Sequence, residues 1–135
     1  MALQLSTAVR NAMLDAIEVT MGTAAIMKIR TGAAPANCGT ADSGTVLATL
    51  NLPSDWMAAA ASGSKSMTGT WSDASGDATG TAAHFRIYRS DGTTCDMQGT
   101  VTATGGGGDL TLDNVSIATA QPVNITSFTL TQGGA

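Results

Sequence analysis

One histidine, two cysteines and ten carboxylates are the side chains of this 135-residue chain best equipped to attack, protonate or ligate. His84 stands in the run TAAHFRIYR, where strand alternation gives it Arg86 and Tyr88 as neighbours on one face. A general base needs a group that orients its ring, commonly a carboxylate, and neither neighbour is one. No G-x-S-x-G elbow supplies a serine nucleophile. His84 therefore reads as a sheet residue facing solvent or an interface. Cys38 (NCGT) and Cys95 (TTCDM) lie in turn-like contexts and are either two free thiols or a late-formed disulfide between two loops. With a single histidine they cannot complete the four ligands of a structural zinc site. All the carboxylates except Asp15 and Glu18 are Asp at turns or strand ends, where Asp serves turn chemistry. No D-x-D-x-D-G loop gathers them for calcium. The Gly105–Gly108 run is followed by Asp109 and not by the Lys-Ser/Thr of a phosphate loop. These residues assign no catalytic, cofactor or metal site.

The elements that would position them are mostly strands. Residues 6–21 form the one good helix: Ser6 or Thr7 caps it, Val9, Ala12, Met13, Ala16 and Ile17 make an apolar stripe, and Gly22 stops it. That stripe predicts burial of Val9, Met13 and Ile17 against the β-body or another subunit. After Gly22 the period falls to two. Strands are predicted at 24–30, 45–52, 66–71, 79–89, 95–103, 109–117 and 122–131, with a bulge near Thr126 or Ser127 in the last. Residues 54–62 suggest a short helical turn capped by Ser54 or Asp55, or else an Ala-rich extended loop. Strict alternation in 79–89 predicts Phe85 and Ile87 inside, with His84 and Arg86 more exposed. Seven or eight short strands at near-regular spacing predict a mostly-β chain: one β-sandwich or jelly-roll-like domain over residues 1–135, its sandwich at about 24–131, led by the helix.

Composition narrows the classes of function. Charged residues are 12%, about half the usual share, and Thr, Ser and Gly fill their places. The net charge is −4 and the six cations do not cluster, which argues against nucleic acid as a partner. No apolar run is long enough to span a membrane, and residues 1–19 lack the basic start and apolar core of a signal peptide, so synthesis in the cytoplasm is expected. A β-sandwich has sheet edges to protect, usually with Lys or Pro, yet the chain holds only two Lys and three Pro. Covering those edges with another copy, as a homodimer or homotrimer, is the economical alternative. The expected contact points are Leu3, Leu5, Trp56 and Met57, apolar residues outside the clear strands.

Three passages together resemble a group of small proteins encoded by tailed bacteriophages: LSTAVRNAMLDAI (5–17), GTAAHFRIYRSDG (80–92) and LTLDNVSIATAQPVNITSFTLT (110–131). The shared pattern is an L-S-T-x-x-R-N-x-x-L-D helix, a G-T-A-x-x-F-R strand with a D-G turn, and a closing S-F-T-L-T strand. The resemblance weakens over 31–66. It implies a virion protein without enzymatic activity, of a size that suits a capsid cement or decoration protein bound to the major capsid protein. The alternative is a tail or fibre component that binds a host glycan, for which Trp56, Trp71 and Tyr88 would supply the aromatic patch.

Overall fold

A computed structural model describes residues 3–135. It contains α1 (Thr7–Met21) and eleven strands: β1 (Ile26–Arg30), β2 (Val46–Asn51), β3 (Ser64–Ser66), β4 (Trp71–Asp73), β5 (Gly80–Thr81), β6 (His84–Tyr88), β7 (Cys95–Ala103), β8 (Leu110–Leu112), β9 (Ser116–Ile117), β10 (Val123–Ile125) and β11 (Thr129–Thr131). The protein is mostly β with one N-terminal helix. The main sheet runs β2-β1-β6-β7-β8; its first four strands are antiparallel neighbours and β8 joins β7 in parallel. Three two-stranded ribbons, β10-β4, β11-β3 and β5-β9, complete the body.

The strand count exceeds the expected seven or eight because several apolar runs change partners midway. In 79–89 the break falls at Ala82 and Ala83, whose N–H groups donate to Val115 and Arg30 respectively, so β5 and β6 belong to different sheets. The run 122–131 was expected to be one bulged strand. Instead β10 pairs with β4 and β11 with β3, and the crossing between them drives Phe128 into the core. The parity change in the sequence marks a change of sheet.

Main sheet and ribbons share one apolar cluster. Through it runs a chain of rings: Trp56 and Trp71 centroids are 6.0 Å apart, Trp71 and Phe128 5.4 Å, and Phe128 meets Phe85 edge-on at 5.6 Å. Tilted and T-shaped contacts suit the ring quadrupoles and add to the area the rings bury. Both indole N–H groups are satisfied, Trp56 by the Gly22 carbonyl and Trp71 by that of Thr68. Ser6 caps α1 by accepting from the Val9 N–H, and Gly22, at φ 83°, ends it.

Residues 54–62 are not a helical turn. Met57 and Ala61 bridge to Met67 and Ser64 in extended backbone, the Ala58 N–H donates to the Ser66 carbonyl, and the N–H groups of Met57 and Ala60 donate to side chains of α1.

Candidate interaction surface

The groups with chemistry are spent on structure. The His84 ring is fully buried, with Nδ1 2.7 Å from the Gly32 carbonyl oxygen. A carbonyl only accepts, so Nδ1 carries a proton, and Nε2 is buried without a hydrogen-bond partner. The aspartates bind backbone: Asp91 accepts from the N–H groups of Thr93 and Thr94 in its own turn, Asp73 from those of Ser75 and of Thr49 in β2, and Asp109 from that of Thr100 in β7. Those bonds to Thr94 and Thr93 hold the Asp91 carboxyl down at about 2. Among the described residues no three His, Cys, Asp or Glu side chains gather as a metal site would require.

Alternation along β6 holds in direction but not in exposure. Phe85 and Ile87 are buried as expected, yet His84 and Arg86 are also buried, against expectation. The cause is the loop 31–44, which folds over the second face of the sheet. Arg86 organises it, donating to the Asp42 carboxylate, to the carbonyls of Asn37, Cys38 and Thr40, and to the Gln98 side chain. Gln98 in turn donates to the Pro35 carbonyl at 2.7 Å. Arg30 reaches Asp42 at 2.9 Å, and the Tyr88 hydroxyl donates to the same carboxylate at 2.7 Å. Burial pulls the Asp42 carboxyl upward, but the bonds from Tyr88 and Arg86 and the charge of Arg30 hold it below its ordinary value. Burial and the bond to Asp42 push the Tyr88 phenol up to about 12. A planar guanidinium with five donors is the side chain able to close so many loop carbonyls at once.

Of the stripe expected to be buried against the β-body or another subunit, only Ile17 packs on the body. Val9 and Met13 are 46% and 45% exposed, and the buried positions are Leu14 and Met21, with Ile17 partly covered against the core. The polar side faces inward instead. Asn11, Asp15 and Glu18 accept in turn from the N–H groups of Gly63, Ala60 and Met57, so α1 closes the backbone edge that the 57–63 segment would otherwise leave bare. Lys65, 2% exposed, donates to Asp15 at 2.8 Å, meets Glu18 at 3.0 Å and also donates to the Ala58 carbonyl. Arg10 donates to the Gln132 carbonyl. Gly63 is required here, because its φ is 76° and a Cβ would lie 2.1 Å from Arg10 Nη1. These bonds outweigh the transfer of a few aliphatic side chains, since each buried N–H left unpaired costs about 1–3 kcal/mol.

The outward face of α1 therefore consists of Ala8, Val9, Ala12, Met13, Ala16, Val19 and Thr20, without a charge among them, and Val19 is 82% exposed. Beside it lies a shallow hollow of about 300 Å³ lined by Met13, Ala16, Ile17, Thr20, Met21 and Asp96. A contiguous apolar patch of this kind marks contact with another surface.

Of the four residues expected to touch a partner, two are withdrawn from any surface. Trp56 is fully buried in the ring chain and Met57 is 1% exposed in the core. Their position outside clear strands reflects a core formed partly by loops. Leu3 is 82% exposed, and Leu5 is half-buried where its N–H donates to the Gly134 carbonyl. All five aromatic side chains, Trp71 and Tyr88 included, are buried, so the patch that a glycan would stack on is not at the surface. The outward position of Val9 and Met13 rules out the first setting expected for the stripe, the β-body, and leaves the second, another subunit. The signal for that position was present in Asn11, Asp15 and Glu18, which form a line of acceptors at helical spacing with one formal partner, Lys65, far along the chain.

Comparison with family models, curated proteins and solved structures finds no match to this chain.

Proposed function

We propose that this chain is a structural protein of a tailed-bacteriophage particle: a capsid cement or decoration protein with a jelly-roll-like β-sandwich body. It bridges major capsid protein subunits by contact and carries out no reaction. The observation that carries this reading is the uncharged outward face of α1, left free because the polar face is used internally. The likeness of its helix, β6 and closing strands to phage virion proteins supplies the setting. In that setting, weak contacts repeated by the symmetry of a shell add up to firm attachment, and a dimer or trimer fits the axes of the shell. Among the described residues no helix is long and apolar enough to cross a membrane.

The test is binding to undecorated heads, with sedimentation of the isolated protein beside it. The wild type is expected to bind in hundreds of copies per head, to raise the heat resistance of the shell and to self-associate in solution. Val9→Glu combined with Met13→Glu is expected to fold and yet lose both properties. A strict monomer that neither binds empty heads nor protects them would defeat the reading, as would a handful of copies confined to the tail.

A further inference from the structure

The loop 31–44 brings Cys38 down onto the sheet. Cys95 opens β7 opposite Tyr88, and Arg86, the previous residue of that face on β6, donates to the Cys38 carbonyl at 3.1 Å. The Cys95 thiol donates to the Met97 carbonyl at 3.3 Å, and the half-buried Cys38 thiol is its neighbour. No other cysteine is present to compete.

We propose that Cys38 and Cys95 are a closable pair, which an external low-molecular-weight disulfide converts into an intramolecular disulfide that locks the 31–44 loop over β6 and β7. One cysteine gives its proton to solvent and attacks the external disulfide, whose S–S bond breaks and whose first half leaves and takes up a proton as a thiol. The second cysteine, deprotonated in turn, attacks the protein sulfur of that mixed disulfide, forms the Cys38–Cys95 bond and releases the other half as a second thiol. The protein loses two electrons and two protons, and the external disulfide gains them. Burial, and then the neighbouring Cys38, pushes the Cys95 thiol up to about 11, so the open dithiol persists at neutral pH until an oxidant acts. The lock would suit a protein made in a reducing cell and later exposed to an oxidising exterior. The chemistry itself holds whatever the role of the chain.

The experiment treats the folded full-length protein with oxidised glutathione and follows intact mass, thiol titre and thermal unfolding. The expected product is a monomer lighter by two hydrogens, with no glutathione retained, no free thiol and a Cys38–Cys95 cross-linked peptide after digestion. Because the bridge closes a long loop, its Tm should rise by about 10 °C and fall back with dithiothreitol. Cys38→Ser should instead retain one glutathione at Cys95 and gain no Tm. Glutathione retained on both cysteines, interchain cross-links, thiols that stay free in the folded chain, or closure with no gain in Tm would each overturn the proposal.

Discussion

Under the 31–44 loop, Arg86 and Arg30 share the Asp42 carboxylate; under α1, Lys65 is shared by Asp15 and Glu18. Both regions bury a cation against backbone that no sheet pairs, and both place polar side chains where alternation or helical spacing calls for solvent. They differ in what is left outside. The loop hides a sheet face and presents small and polar residues to water. The helix docks through its acceptors and presents its aliphatic side. A polar clamp under a loop completes a fold, whereas the same device under an amphipathic helix leaves its aliphatic face exposed.

The largest effect is expected at the loop clamp. Arg86→Met takes the shared donor from the Asn37, Cys38 and Thr40 carbonyls and leaves Asp42 to Arg30 and Tyr88, which should cost about 3–5 kcal/mol in denaturant unfolding and open the loop to protease. Arg86→Lys should recover little of this, because an ammonium cannot span those acceptors. If Arg86→Met unfolds at the wild-type denaturant concentration, the loop is not part of the cooperative structure and the comparison fails on that side.

The helix clamp should be weaker, since Lys65 satisfies one backbone carbonyl where Arg86 satisfies three. Lys65→Met is expected to cost about 2–3 kcal/mol and to raise amide exchange at Met57, Ala60 and Gly63, whose N–H groups bind the helix. No loss of stability, with exchange unchanged in that segment, would mean that α1 is held by Leu14, Ile17 and Met21 alone.

Much of the fold was legible in the chain. Ser6, Gly22 and the strand from Cys95 to Ala103 stand where capping and period-two alternation put them. The resemblance motifs also fall on structural positions: Ser6 caps, Arg10 reaches the C-terminal segment, Arg86 gathers the loop and Phe128 joins the rings. What could not be read was which face of an element meets the body. Periodicity reports that two faces differ, and the assumption that the apolar one turns inward fails where unpaired N–H groups elsewhere demand acceptors. Those N–H groups belong to residues 57–63, a stretch whose alanines carry no pattern. The loop 31–44 was equally silent, since its work is done by backbone carbonyls that every residue possesses.

Alkaline titration offers a smaller effect, specific to the loop. The Tyr88 phenol is raised to about 12 from an ordinary value near 10, so its protonated form is favoured by folding. The stability it contributes is fully present below about pH 10 and is lost as pH rises toward 12. Tyr88→Phe should cost about 1 kcal/mol at neutral pH, through the lost bond to Asp42, and should flatten that alkaline decline. On the acid side the sign reverses. Asp15 and Asp42 are lowered, so their contributions are present above the ordinary carboxylate range and fade as pH falls through it. An alkaline decline in Tyr88→Phe as steep as in the wild type would assign the step to another group.

The smallest expected effect separates the two regions most sharply. Val9 is the third residue of α1, its N–H already donates to the Ser6 hydroxyl, and the first turn holds no acidic side chain. Val9→Glu would place a carboxylate where it can reach back to the N–H of Ser6, completing the reciprocal arrangement of a capping box, and beside the positive end of the helix dipole. Were Val9 turned into the body, as its place in the apolar stripe suggests, an ionised side chain there would cost several kcal/mol. With Val9 46% exposed, the substitution should leave the isolated subunit unchanged or more stable by about 0.5 kcal/mol, measured by urea unfolding at a concentration where the protein is monomeric. At higher concentration the same variant should sediment as a smaller species than the wild type, because the charge now stands on the contact face. A loss of monomer stability would return the stripe to the core. Unchanged stability with unchanged sedimentation would leave the helix outward but remove it from the contact between copies.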